Sequence, residues 1–149
     1  MIDPTDIETM EHVDSGITVF KYKGQKALQV VGVENAFTAL AKTVADNPFD
    51  VIIEIGTDFG GLTNLLADHE VSSVATIHTF DINASRFVSH NDKITFHNKN
   101  VFSHEAEVAK LIENAKRCLL LCDGGNKEEE FRVFHSYLKN EGFHFKLQT

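Results

Sequence analysis

The chain has 149 residues, 42% of them apolar and 24% charged, which matches an ordinary soluble globular domain large enough to bury a core. Its net charge of −8 lies in the first half: residues 1–75 carry 4 basic and 12 acidic side chains, residues 76–149 carry 10 of each. An acidic surface without a basic stripe argues against nucleic acid as the main partner and leaves a small-molecule or protein substrate.

In chain order, "MIDPTDIETMEHVDSG" lacks the basic start and apolar run of a secretory leader, and residues 1–16 are expected as a loose, acidic arm. No apolar run approaches the ~20 residues of a membrane span, so a cytoplasmic location is expected. "ITVFKYKGQKALQV", Ile17 to Val30, predicts two short strands around Gly24. "VENAFTALAKTVADNPFD" predicts a helix: Ala36, Phe37, Leu40, Ala41 and Val44 recur at helical spacing until Pro48 ends it.

From Val51 short apolar runs alternate with helical segments. "VIIEIG" reads as a parallel strand covered on both faces, followed by "GLTNLLADHE" as a helix. "VATIHTFDI" and "KITFHNKN" are the second and third strands of this series. "SHEAEVAKLIENAKR" is a helix that Ser103 can cap, with Val108, Leu111 and Ile112 on its apolar side. "CLLLCDGG" is the fourth strand; it would hold Cys118 and Cys122 roughly 13 Å apart, too far for a disulfide. "EEEFRVFHSYLKNEG" is a helix with an acidic first turn and Gly142 at its end, and "FHFKLQT" is a fifth strand. No repeat or linker interrupts the chain. Residues 1–33 form the arm with its candidate strands, and residues 34–149 one α/β domain with a mostly parallel sheet.

Ligands of such sheets bind beyond the carboxyl ends of the strands, where "EIGTDFGG" lies. Gly56 allows a sharp turn, and Gly60 and Gly61 allow close approach at the start of a helix. The spacing is E-x-G-x-x-x-G-G, whereas a dinucleotide loop reads G-x-G-x-x-G. Glu54 would repel a pyrophosphate and suits a cation, such as the ammonium or sulfonium of S-adenosylmethionine. Asp81 follows Gly60 by 21 residues, where a carboxylate can accept from two ribose hydroxyls. Asn98 and Asn100 offer amides to an adenine edge, with Val101 and Phe102 beside them. Plainer readings stand next to these. Glu54 could pair with a lysine, Asp81 could simply end its strand, and Asn98 and Asn100 could be turn residues. His78 and His97 fall near the same strand ends, although packed or surface histidines are commoner. No zinc spacing, G-x-S-x-G or Walker loop is present.

With these motifs the sequence resembles class I S-adenosylmethionine-dependent methyltransferases. "EIGTDFGG" is similar to their first motif and "FDIN" to their ribose-binding acid. The order "DVIIEIGTDFGG", "FDIN", "LLLCDGGNKEEEF" is most similar to the cephalosporin hydroxylase and rhamnosyl O-methyltransferase branch. The resemblance spans roughly residues 20 to 142. It implies a Rossmann-like, doubly wound sheet of order 3-2-1-4-5 in three α/β/α layers. By position, Glu54, Gly56, Thr57, Gly60, Gly61 and Asp81 would hold the methionine and ribose parts of S-adenosylmethionine. Asn100 and Val101 would lie at the adenine. Asp123 matches a fourth-strand aspartate that in this branch often serves a divalent metal such as Mg2+ or the acceptor. Two departures are expected to matter. The sheet is short at its C-terminal end, without the family's last hairpin, and "FHFKLQT" has no acid to complete a Mg2+ site.

The implied reaction is methyl transfer to an oxygen or nitrogen of a small molecule, with Asp123 as base and Lys127 orienting the acceptor; Asn126 lies beside them. Gly124 and Gly125 would let the backbone pass close to a ligand. For Lys127 a solvated side chain is the plainer reading, and for Asp123 a loop acid supporting the next helix. Two alternatives remain: a module that binds the cofactor, or another chain, without catalysis, and a nicotinamide-dependent oxidoreductase. A short fifth strand at a sheet edge also invites homo-oligomer pairing.

Overall fold

The computed structural model describes residues 7–10, 17–31, 40, 42–44, 46–47, 49–68, 76–83, 87, 91–138 and 144–146. Two sheets organise them. Strands β1 (Ile7–Met10), β2 (Ile17–Tyr22) and β3 (Gln25–Val31) form an antiparallel meander in that order. Residues 7–10 are therefore a paired strand and not part of a loose arm. The β2–β3 connection is two residues long, with Lys23 at φ 49° and Gly24 at φ 78°. Those positive angles suit the right-handed twist of a tight hairpin, and glycine adopts its share without strain.

The second sheet is parallel. It contains β4 (Val51–Ile55), β5 (Thr76–Phe80), β6 (Ile94–His97), β7 (Cys118–Cys122) and β8 (His144–Lys146), side by side as β6-β5-β4-β7-β8. Helices α1 (Gly61–Asp68), α2 (Glu105–Asn114) and α3 (Lys127–Phe134) follow β4, β6 and β7. This is an α/β fold consistent with a Rossmann-like sheet. The chain steps outward from β4 to β6 and returns to the other side of β4 as β7, so strand order reverses at β4.

Strand alternation sorts the core into two clusters. Ile52, Ile77, Leu119 and Leu121 pack with Leu62, Leu65 and Leu66 of α1, with Tyr22, and with Leu40 and Val44 of a helical segment. Ile53, Ile55, Leu120 and Cys122 pack with Val108 and Ile112 of α2 and Phe134 of α3. Helix α1 has only 8 residues, too few to persist alone. Burying Leu65 and Leu66 completely contributes roughly 2 kcal/mol each and fixes it on the sheet. Asp68 at its end accepts from Tyr22 Oη at 2.7 Å and Lys23 Nζ at 2.8 Å, which ties the meander to it.

Several local expectations change. Ser103 does not cap α2: it ends a 3-10 turn, Val101–Ser103, and α2 starts after His104, which makes no side-chain cap bond. The turn is capped by Asn100, whose Oδ1 accepts from Phe102 N at 2.9 Å. Asn126 caps α3 by accepting from Glu129 N. Cys118 and Cys122 are free thiols, and burial pushes each up to about 12, so neither is a ready nucleophile. Ala36, Phe37, Ala41, Pro48 and Gly142 lie outside the described residues. No helix among the described residues is long and apolar enough to cross a membrane.

Candidate functional site

A cavity of about 600 Å³ opens beyond the carboxyl ends of β4, β5 and β7, at the reversal of strand order where α/β sheets bind ligands. Its volume is in the range of small-molecule and cofactor sites. Of the residues singled out from sequence, Glu54, Gly56, Thr57, Asp81, Asn100, Val101, Phe102, Asp123, Gly124, Gly125 and Asn126 line it. Gly60, Gly61 and Lys127 do not. Lys99, Ile82 and Glu130 complete much of the wall.

Glu54 is the most consequential of them. It stands at the end of β4 on the face turned to α1 and is 1% exposed. Its Oε1 accepts from Thr63 Oγ1 of α1 and from Thr79 Oγ1 of β5, the latter at 2.6 Å. Thr79 is its partner in the parallel register. Thr57 Oγ1 lies 2.6 Å from Thr79 Oγ1. Since Thr79 spends its single proton on Glu54, the hydroxyl of Thr57 donates to Thr79. Among the described residues, Glu54 Oε2 accepts no hydrogen bond. Burial pushes this carboxyl up to about 7; the two threonine bonds pull it down, and the charges of Asp123 and Asp81 raise it further.

The glycines behave differently from one another. Gly56, at φ 96°, has no room for a side chain: an added Cβ would lie 2.2 Å from the carbonyl oxygen of Asp123. Its conformation and its contact let the ends of β4 and β7 meet. Gly60, at φ 82°, faces a ring: its Cβ would lie 2.3 Å from Phe87. The close approach expected there is made to Phe87 of this same chain, which in turn packs on Phe96 with centroids 4.9 Å apart.

Asp81 holds this loop as well as lining the cavity. Its Oδ2 accepts from Asp58 N and its Oδ1 from Asn83 N, both at 2.8 Å. Asp58 sits at φ 51°, a left-handed conformation that aspartate tolerates better than most residues. Asn98 does not line the cavity; with its amide nitrogen turned to β5 it donates to the carbonyls of Asp81 and Ile82 at 3.0 Å. His78 and His97 also stay outside. His78 Nδ1 and His97 Nε2 bond each other at 3.0 Å, and His97 stacks on Phe80 at 4.3 Å. Burial lowers both histidines.

On the β7 side, Asp123 pairs with Lys127, Nζ to Oδ1 at 3.3 Å, and the two side chains are only 15% and 14% exposed. Lys127 is thus turned back onto the strand end, not solvated. Glu130 escaped the sequence reading. It is 2% exposed; Oε1 accepts from Gly124 N at 3.0 Å and Oε2 from Asn126 N at 3.2 Å. Gly124 is glycine because a Cβ would lie 2.2 Å from Glu130 Oε2. That close approach is to Glu130, and Gly124 also lines the cavity. Gly125 has open space around its Cα. A sequence signal for Glu130 existed: it precedes the buried Phe134 by one helical turn and shares its face. No group of three His, Cys, Asp or Glu among the described residues could hold a metal ion.

No known family model matches the chain, and no curated protein is similar to it at a significant level.

Proposed function

We propose that this cavity binds S-adenosylmethionine and that the chain transfers its methyl group to an oxygen or nitrogen of a small molecule, on a doubly wound three-layer version of the fold. The observation that carries the reading is the Glu54 carboxylate, buried at the cavity with both of its hydrogen bonds among the described residues taken at Oε1. A carboxylate that is 1% exposed, lines a cavity and keeps one oxygen unbonded within the described chain is complementary to a cation. S-adenosylmethionine brings an ammonium for that oxygen and a methyl carbon already activated by its sulfonium.

The other walls fit the remaining parts. Each oxygen of Asp81 accepts one backbone N–H and retains acceptor capacity for a ribose hydroxyl. Val101, Ile82 and Phe102 offer apolar surface to a purine. Asn100 uses its Oδ1 on its own turn, leaving the amide N–H groups for an adenine nitrogen. Asp123 lies at the edge where an acceptor would enter and is the candidate to receive its proton. The described residues supply no ligand set for Mg2+ beside Asp123, so the proposal does not require a metal.

A dinucleotide is disfavoured by one contact. Its pyrophosphate would need the N–H groups at the start of α1, yet Gly60 and Gly61 do not line the cavity and Phe87 covers Gly60. A binding module without catalysis is favoured by a different one, the Asp123–Lys127 ion pair, which neutralises the candidate base.

Calorimetric titration with S-adenosylhomocysteine and, separately, NAD tests the assignment. The expected result is micromolar binding of the first, weakened about tenfold or more in Asp81→Ala, and none of the second. Absence of S-adenosylhomocysteine binding by the intact protein would overturn it. Binding without methyl transfer to any acceptor in a broad screen would leave the non-catalytic reading.

A further inference from the structure

Two threonines that no motif singled out converge on the acid the proposed function depends on. Thr63 and Thr79 are both completely buried. They come from different elements, α1 and β5, and both donate to the same oxygen of Glu54. Thr57, from the glycine loop, adds its hydroxyl behind Thr79. A buried threonine usually spends its proton on a nearby backbone carbonyl. Here Thr63 donates directly and Thr57 acts by way of Thr79, so both routes end on Oε1 of a residue that lines the cavity.

We propose that Thr63 and Thr79 are positioning residues for ligand binding: they hold Glu54 by one oxygen, favour its charged form, and so present the other oxygen as a fixed anion to the ammonium of the bound ligand. The inference rests on the cofactor assignment above and adds to it the residues that set the charge of the site. Their donors are neutral, which matters. A lysine in their place would neutralise the carboxylate and compete with the ligand, whereas hydroxyls stabilise the anion and leave its charge in place. They work against the burial of Glu54 and the charges of Asp123 at the end of β7 and Asp81 at the end of β5; Asp58 in the loop and Glu130 of α3 line the same cavity. Lys99 beyond β6 lines the same space, and Lys127 is engaged with Asp123.

The consequence is a link between pH and affinity. A cationic ligand takes the ionised form of Glu54, so protons compete with it. Loss of one hydroxyl donor raises the pH at which Glu54 ionises and moves the whole affinity profile upward.

The test uses the intact protein, Thr79→Val and Thr79→Ser. Affinity for S-adenosylhomocysteine is measured by calorimetry between about pH 5.5 and 8.5, and the Glu54 carboxyl is followed without ligand by carbon-13 NMR, its signal assigned by loss in Glu54→Gln. In Thr79→Val the NMR midpoint is expected to rise by about half a unit or more. Affinity near pH 7 should fall about twofold or more and converge on the wild-type value at the alkaline end; Thr79→Ser should restore both. Equal weakening at every pH, or an unmoved midpoint, would overturn the inference, because packing alone would then account for Thr79. Failure of the wild-type protein to bind S-adenosylhomocysteine would remove the cofactor assignment, and the NMR midpoint would still decide the hydroxyl clamp. If Thr79→Val fails to fold, Thr63→Val set against Thr63→Ser carries the same comparison at the other direct donor.

Discussion

Two buried glutamates line one cavity and do opposite things. Glu54 and Glu130 are 1% and 2% exposed, and burial raises both carboxyls. Glu130 spends its two oxygens on the N–H groups of Gly124 and Asn126, so it braces the turn after β7. Glu54 is held at one oxygen by hydroxyls and lines the cavity. Burial and a raised pKa therefore do not by themselves mark a ligand site. What separates the two is where the lone pairs go: onto the protein's own backbone at both oxygens in one case, onto hydroxyls at a single oxygen in the other, where the proposed ligand would complete the set.

The largest effect expected from this contrast is at Glu54. Glu54→Gln should weaken S-adenosylhomocysteine about thirtyfold or more, as losing one member of a buried charged pair does. The same substitution should stabilise the empty protein at alkaline pH. With a folded pKa of about 7 against an ordinary value of 4.5, the folded chain binds more protons than the unfolded chain between those values. Wild-type stability contributed by this group is therefore full below about pH 4.5 and falls as pH rises through about 7. Removing the titration should recover up to about 3 kcal/mol near pH 8 and little near pH 4.5, read by urea unfolding. Equal effects at both pH values would break the contrast.

Glu130→Gln should behave in the reverse sense. It places an amide N–H group against a backbone donor and should cost about 2 kcal/mol in urea unfolding, with ligand affinity within about twofold of wild type. A large loss of affinity would mean that Glu130 also serves the ligand. The smallest pair of effects sharpens the brace itself. Gly124→Ala, whose methyl would strike the Glu130 carboxylate, should destabilise by about 1–3 kcal/mol. Gly125→Ala, with open space around it, should stay within about 0.5 kcal/mol by the same measurement.

The glycine loop and its acids were legible in the sequence because Glu54, Gly56 and Asp81 punctuate apolar strands at fixed distances. The alternation of strands and helices likewise gave the parallel α/β sheet. What stood outside its reach depends on register and on faces. Thr79 lies beside Glu54 only because β5 pairs with β4 in one register, and nothing local in "TIHTFD" specifies it. Glu130 sits in an acidic first turn that reads as solvated; only its spacing from Phe134 betrays the buried face. The space expected at Gly60 and Gly124 meets a side chain of the protein in each case, Phe87 and Glu130, while Gly124 lines the cavity as well. A glycine announces that something comes close, and not whether that neighbour is a ligand or the chain itself.

The central claim is that an ionised Glu54 receives a cation in this cavity. Calorimetry of S-adenosylhomocysteine at pH 7 in buffers of different ionisation enthalpy measures it most directly. With the Glu54 carboxyl raised by burial to about 7 when empty and ionised when paired, binding should release a fraction of a proton per ligand, and Glu54→Gln should abolish that release. Tight binding with no proton release, or release that persists in Glu54→Gln, would contradict the account.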